Sequence, residues 1–224
     1  MQSKNQWDSA ADWYDQNMGE EGDKLNHDII RPLVLQMIGP LAGKNILDSG
    51  CGSGYFSAEL AKSASKVVGT DFSSNFIDHC KNKYNNISNL SFSQHDVSKV
   101  VPFQNYEFDI VLSKMVLQYV KDIHLFTKES FRVLKKSGHL IIVVDHPFKY
   151  PSKKYPHLKD YFNKEEQTKL SLWGKVELTL YPKTVSDYML TFMKSGFFLS
   201  DIQELPEEKE DAIIPRILAL KFRK

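Results

Sequence analysis

Between Asn45 and Tyr55 the chain reads Asn-Ile-Leu-Asp-Ser-Gly-Cys-Gly-Ser-Gly-Tyr: an apolar run ending in Asp48, then Gly50, Gly52 and Gly54 at alternate positions, then the start of an amphipathic stretch. This is the tightest constraint in the sequence. A strand must turn at once into a helix, and glycines, lacking a Cβ, let the turn's backbone come within van der Waals reach of a ligand. The spacing is G-x-G-x-G and not the G-x-G-x-x-G that aims a helix N-terminus at a pyrophosphate. Such a turn can also be a plain connector, so its neighbours decide.

Short β-branched runs alternate with amphipathic stretches from residue 45 to 145. The pattern predicts strands at 45–48, 66–71, 90–94, 108–113 and 139–145, and helices at 55–62, 73–83 and 123–135. Lys136-Ser-Gly138 offers a glycine able to take the left-handed conformation that ends a helix. Asp109-Ile-Val-Leu112 and Ile141-Ile-Val-Val144 are apolar on both faces, as interior parallel strands covered by helices are. The alternation therefore predicts an α/β, doubly wound, mostly parallel sheet with helices on both faces and ligands at the carboxyl ends of the strands. Three strands end there in acids: Asp48, Asp71 about twenty residues after Gly50, and Asp96 in Gln94-His-Asp-Val97. An acid closing the second strand is placed to take the ribose hydroxyls of a nucleoside. No Lys or Arg patch accompanies the three, which suits a nucleoside with a positive centre and disfavours a diphosphate. Solvated strand-end aspartates are the plainer alternative.

Helical spacing of apolar residues also marks 7–18 and 25–38, with breaks near Gly19–Gly22 and Gly39-Pro40. After Asp145 the pattern lapses. Residues 146–174 carry three prolines, six lysines and five aromatics before Trp173, and a stretch this long reads as a lid or cap inserted after the fifth strand. The sheet is expected to resume with strands at 175–180, 197–203 and 213–222 around a helix at 185–195. The expectation is one domain over 1–224: N-terminal helices 1–40, a ligand-binding core 44–145, the lid 146–174, and the rest of the sheet 175–224.

Composition removes several classes. Lys plus Arg number 29 against 28 Asp plus Glu, a net charge of +1, so no strong field points to nucleic acid or an acidic membrane. Cys51 and Cys80 are the two cysteines and make no disulfide framework or zinc cluster alone; no metal is expected. The first residues, MQSKNQWDSAADWYDQ, contain no apolar signal region, and the longest strongly apolar run, Leu140–Val144, falls far short of the ~20 residues that span a bilayer. The expected setting is cytoplasmic, with no membrane partner; the oligomeric state stays open.

These residues resemble the class I S-adenosylmethionine (SAM) dependent methyltransferases, in particular the small-molecule branch, from about Trp7 to Asp145. The resemblance implies a Rossmann-like fold, SAM as cofactor and S-adenosylhomocysteine as product. It implies that the turn from Asp48 through Gly50, Gly52 and Gly54 holds the methionine part of SAM. Asp71 would bind both ribose hydroxyls, Phe72 would lie against the adenine, and Asp96 would take the adenine amino group beside the Val97 backbone. Ser113, ending the fourth strand, would line the sulfonium through its backbone. Trp7-Asp-x-Ala10-Ala11-x-x-Tyr14-Asp15 resembles the family's N-terminal helix, whose tyrosine, here Tyr14, reaches the methionine carboxylate. Ser49 stands where the family often has an aliphatic residue.

The sequence narrows the chemistry. Ser113-Lys-Met-Val116 occupies the place of the [DN]-P-P-[YF] motif of amino methyltransferases, and Asp145-His-Pro-Phe148, similar to the eye, follows the fifth strand instead of the fourth. Cys51 and Cys80 are misplaced for cytosine-C5 chemistry, and only Asp145 is evident for a metal-dependent catechol-type site. Methyl transfer needs alignment and exclusion of water above all. Where a hydroxyl, carboxyl or amine acceptor needs a base, His146 is the candidate catalytic residue, with a structural strand-end histidine as the alternative. His95 and His124 are weaker candidates, and Gln118 and Tyr119 are placed to face the acceptor. The expected activity is methyl transfer to an oxygen or nitrogen of a small molecule. An RNA or protein methyltransferase using the Lys/Tyr segment, a SAM- or nucleoside-binding module without turnover, and a nicotinamide oxidoreductase are the rivals, the last with the wrong glycine spacing.

Overall fold

Five of the apolar runs become the parallel strands β1 (Asn45–Ser49), β2 (Lys66–Asp71), β3 (Leu90–Gln94), β4 (Phe108–Lys114) and β5 (Leu134–Asp145) of a computed structural model. The structure describes residues 2–149, 161–162, 168–172, 176–206 and 215–224. In the seven-stranded sheet the order is β3-β2-β1-β4-β5-β9-β8, where β8 is Phe198–Pro206 and β9 is Pro215–Arg223. β1 lies between β2 and β4, parallel to both, so the winding reverses at its carboxyl end. Open α/β sheets bind ligands at that reversal. β9 runs antiparallel to both β5 and β8.

The strands are apolar on both faces because each feeds two cores. Along β5, Leu140, Ile142 and Val144 join one cluster, with Phe126, Phe192 and Phe222, while Ile141 and Val143 join the other, with Val34, Phe56 and Leu60. Side chains one apart on a strand point to opposite faces, so this split is the period-two pattern of a sheet covered on both sides. α5 (His124–Val133) and α6 (Val185–Lys194) supply the first layer; α2 (Arg31–Ile38) and α3 (Tyr55–Ala61) supply the second. A single wide turn, Asn26–Ile30, leads into α2. α4 (Ser74–Lys83) starts from Ser73, whose hydroxyl accepts the Phe76 N–H, and α6 from a reciprocal cap between Thr184 and Asp187.

Two expectations are corrected. Gly138 does not end a helix: α5 stops at Val133, β5 begins at Leu134, and Gly138 lacks a positive φ. It is needed for closeness, because a Cβ there would lie 2.8 Å from Leu134 Cδ2 and 3.0 Å from the Asp109 carbonyl. The strand expected at 175–180 does not rejoin the main sheet. As β7 (Val176–Leu180) it pairs antiparallel with β6 (Thr168–Leu172) in a separate two-stranded sheet. Most of the expected lid, including 150–160, 163–167 and 173–174, lies outside the described residues. Among the described residues, no helix is long and apolar enough to cross a membrane.

α1 (Gln2–Met18) crosses the carboxyl edge of the sheet and is tied to α4. Ser73 Oγ donates to Asp8 Oδ1 at 2.6 Å, and Lys83 pairs with Asp15 at 3.3 Å. Ala10 packs on Leu178 of β7, with Trp7 and Tyr119 beside them. This helix covers the edge where the ligand loops converge.

Candidate active site

A cavity of about 550 Å³ lies at the carboxyl ends of β2, β1 and β4, within the size range of a small-molecule site. Its floor is the glycine turn. Gly50 (φ +86°) and Cys51 both donate their amides to the Thr70 carbonyl, at 2.7 and 2.9 Å, which locks the turn onto β2. A Cβ on Gly50 would lie 2.2 Å from Val116 Cγ2, so the loop after β4 can close on the turn only over a glycine. Gly52 lines the cavity under Tyr14, while Gly54 sits behind it against Cys80 and Phe92 and starts α3.

The acids occupy three depths. Asp71 lines the cavity and is nearly buried; its Oδ2 accepts the Gly52 N–H and its Oδ1 the Ser73 N–H, both at 3.0 Å. Burial pushes its pKa up to about 6 against the opposing pull of those amides. Phe72 beside it also faces the cavity. Asp96 and Val97 form the wall beyond β3, where Asp96 Oδ1 accepts the Ser98 N–H and hydroxyl. Asp48 does not reach the cavity wall. It is buried behind the turn, with Oδ2 accepting the Ser57 hydroxyl at 2.6 Å and Oδ1 unpartnered, and burial raises its pKa.

At the β4 end, Ser113 is fully buried and does not line the cavity; the next residue does. Lys114 Nζ donates to Tyr55 Oη at 2.7 Å and to Asn26 Oδ1 at 3.0 Å, and lies 4.8 Å from the centre of the Tyr55 ring. Loss of hydration pulls its pKa below the usual lysine value, opposed by Tyr14, Asp48 and Asp23. Asp23 in turn accepts the Asn26 side-chain amide at 2.7 Å, which orients the Asn26 oxygen toward the lysine. The acids thus share their cavity with Lys114 at the β4 end. Lys114 stands in plain sight in Ser113-Lys-Met-Val116, but a lone lysine at a strand end carries no signal until the fold brings Asn26 and Tyr55 beside it. The chain leaves Lys114 through Met115 at φ 61°, a conformation uncommon for a residue with a side chain, and Met115 lines the cavity.

Aromatic side chains roof the cavity. Trp7 and Tyr14 of α1 pack edge to face at 5.7 Å, and Trp7 meets Tyr119 at 5.9 Å. Tyr181, which follows β7, also lines the rim, and its N–H donates to the Gln118 carbonyl at 2.9 Å. Lys183 fastens the same loop, giving its ammonium hydrogens to the carbonyls of Leu117, Val120 and Tyr181. Gln118 is buried with both amide atoms unpartnered and faces a second, water-sized cavity shared with Asp145 and Lys183.

His146 is not brought to the cavity. It is fully buried, its Nε2 meets Glu204 Oε1 at 2.8 Å, and its Nδ1 accepts the Phe148 N–H at 3.1 Å. The second contact leaves Nε2 as the protonated nitrogen, so neither nitrogen is open toward a reacting group. Burial keeps its pKa below the usual histidine value. The geometry corrects the candidate base to a strand-end residue that ties β5 to β8. His124 is exposed at the start of α5, bonded to Asp122, and His95 lies beside Asp96 with Nε2 unpartnered.

Residues 47–142 match the family model described as a methyltransferase domain. The chain is 29% identical over 204 residues to the demethylmenaquinone methyltransferase of Lactococcus lactis, covering 85% of this chain and 76% of that protein. It is 32% identical over 133 residues to the enzyme of the same name from Staphylococcus carnosus, 55% of each chain. Among solved structures, an S-adenosylmethionine-dependent methyltransferase from Mesorhizobium loti superposes with a TM-score of 0.71 at 20% identity, covering 86% of this chain and 96% of that one. One from Methanosarcina mazei gives 0.69 at 22% identity over 86% and 97%. Residues 47–142 thus match a methyltransferase domain, and the sheet order and the glycine turn at the winding reversal place the chain in the fold of the solved S-adenosylmethionine-dependent methyltransferases.

Proposed function

We propose that the 550 Å³ cavity holds SAM across the carboxyl ends of β3, β2, β1 and β4, and that the enzyme transfers its methyl group to an oxygen or nitrogen of a small molecule. The observation that carries this is the convergence of the expected residues on one wall: Gly50 and Gly52 on the floor, Asp71 and Phe72 at β2, Asp96 and Val97 beyond β3. The residues suit the cofactor. Gly52 puts bare backbone on the cavity floor beneath Tyr14, which leaves room for a close ligand, and an ionised Asp71 offers lone pairs to a diol beyond those used by the Gly52 and Ser73 amides. In this reading Phe72 stacks on the adenine, Asp96 and the Val97 backbone take its edge, and Tyr14 reaches the methionine end.

When bound, SAM supplies an electrophilic methyl on a sulfonium that is its own leaving group. The chain's task is then to hold the acceptor at about 3 Å in line with that methyl and keep water out. α1 does the second through Trp7 and Tyr14. The rim of Trp7, Tyr119 and Tyr181 favours a flat, largely apolar acceptor. The relatives named demethylmenaquinone methyltransferase support a small-molecule acceptor over RNA or protein.

The test offers the enzyme methyl-labelled SAM with a panel of small phenols, quinols, amines and carboxylates, and in parallel with total RNA and unfolded protein. Label is expected in a flat small molecule together with release of S-adenosylhomocysteine. Label only in RNA or protein would overturn the acceptor class.

A further inference from the structure

Lys114 poses a problem that the cofactor reading above does not solve. Its ammonium sits where hydration is largely lost, yet among the described residues no carboxylate lies within 4 Å of it. Its partners, Tyr55 Oη and Asn26 Oδ1, are neutral, and they leave one of three ammonium hydrogens unused. A half-buried charge at a cavity wall is normally paired, because neutral acceptors do not fully replace the hydration given up. Asp48, close enough to act on Lys114 electrostatically, makes no ion pair with it and turns Oδ2 to Ser57. A counter-ion is missing, and Lys114 lines the cavity.

Position says what the anion is. β3 and β2 carry Asp96 and Asp71, the nucleoside end; β1 and β4 lie on the opposite side of that pair. A ligand running from Asp96 across Gly52 arrives at β4, where Lys114, Asn26, Tyr55 and Tyr14 form the far wall. We infer that Lys114 is the counter-ion for the α-carboxylate of the methionine moiety, and so the residue by which this site selects nucleosides that bear an amino acid. This rests on the SAM reading of the cavity. Asp23 supports it at one remove, by fixing Asn26 so that its oxygen aims the ammonium. The Asp48 Oδ1, unpartnered behind the turn, adds a negative field at the same end, so the wall suits a zwitterion better than a plain anion.

Calorimetric titration with three ligands tests this: S-adenosylhomocysteine, S-adenosyl-3-thiopropylamine, which lacks only the carboxylate, and 5′-methylthioadenosine, which lacks the whole amino acid. The native enzyme should bind the first at least tenfold more tightly than the second, a measurement that needs no variant. In Lys114→Met, checked for folding by circular dichroism, S-adenosylhomocysteine should weaken at least tenfold, while the two ligands without a carboxylate stay within about threefold. Equal loss for all three ligands would make Lys114 a structural lysine and overturn the inference. So would equal affinity of the native enzyme for the first two ligands. Failure of the native enzyme to bind any of the three would instead overturn the SAM reading, and this inference with it.

Discussion

The Gly52 amide donates to Asp71 Oδ2 at 3.0 Å, so the acid that closes β2 also holds the floor of the cavity. Burial lifts the Asp71 pKa from 3.8 to about 6. Between those values the folded chain keeps a proton that the unfolded chain has released. This carboxyl therefore makes the ligand-free enzyme lose stability as pH rises from about 4 to 6. A ribose diol that donates to the ionised form reverses the sense for binding. Affinity for S-adenosylhomocysteine should rise as pH passes through 6 and level off above it. Asp71→Asn should bind at least tenfold more weakly at pH 7.5 and show no such rise. Titrations from pH 5 to 8 check both, and the same pH slope in the two proteins would remove the diol from Asp71.

Gly50 and Val116 form a second coupled pair, because Val116 occupies the space a Cβ on Gly50 would need. Gly50→Ala should destabilise the fold through two separable costs: a left-handed backbone for alanine, about 1–2 kcal/mol, and overpacking against Val116, about 1–3 kcal/mol. Val116→Ala in the Gly50→Ala background should recover the second and leave the first. Chemical denaturation of the four proteins of this cycle measures the coupling, and strict additivity would contradict the contact.

Much of this was readable in the sequence because local chemistry dictated it. The five parallel strands fall within a residue or two of their expected limits, except that β5 starts five residues early. Its first half pairs with β4 through an irregular register near Phe108, which no period-two pattern announces. The placement of β7 depended on pairing with β6 and not on its own residues. In the site, the glycines and Asp71 were legible since each satisfies a local need. Lys114 was not, because its meaning comes from Asn26, 88 residues earlier, and Tyr55, 59 residues earlier. His146 misled for the converse reason: strand-end position is local, but the Glu204 that occupies its ring arrives from β8.

Glu129 offers a stability test remote from the cavity. Its carboxylate accepts the Val101 N–H at 3.0 Å and pairs with Arg132, whose guanidinium also holds the carbonyls of Phe103 and Val101. Arg132 is the main cause of the lowered Glu129 pKa, so the stability it contributes is present above the usual glutamate value and is lost as pH falls through the lowered one. Glu129→Gln should cost about 1.5–3 kcal/mol at pH 7 and leave cofactor affinity unchanged. Denaturation and titration of one sample separate the two; a binding defect at unchanged stability would contradict the assignment.

His146 is the sharpest test of geometry against position. Both ring nitrogens are engaged, with Glu204 and with the Phe148 amide, and burial holds the pKa below the usual value. Below about pH 6.5 the unfolded chain takes up a proton that the folded one refuses, so this residue makes stability fall on acidification. His146→Ala should cost about 1–3 kcal/mol at pH 7.5, from an unpaired Phe148 amide and the lost packing, and less at pH 5.5. Methyl transfer to whichever acceptor the panel yields should stay within a few-fold of the native rate. A base would contribute about 10²–10⁴ in rate. A hundredfold loss of turnover in a variant of native stability and native S-adenosylhomocysteine affinity would therefore move His146 from the frame of the sheet to the reacting atoms.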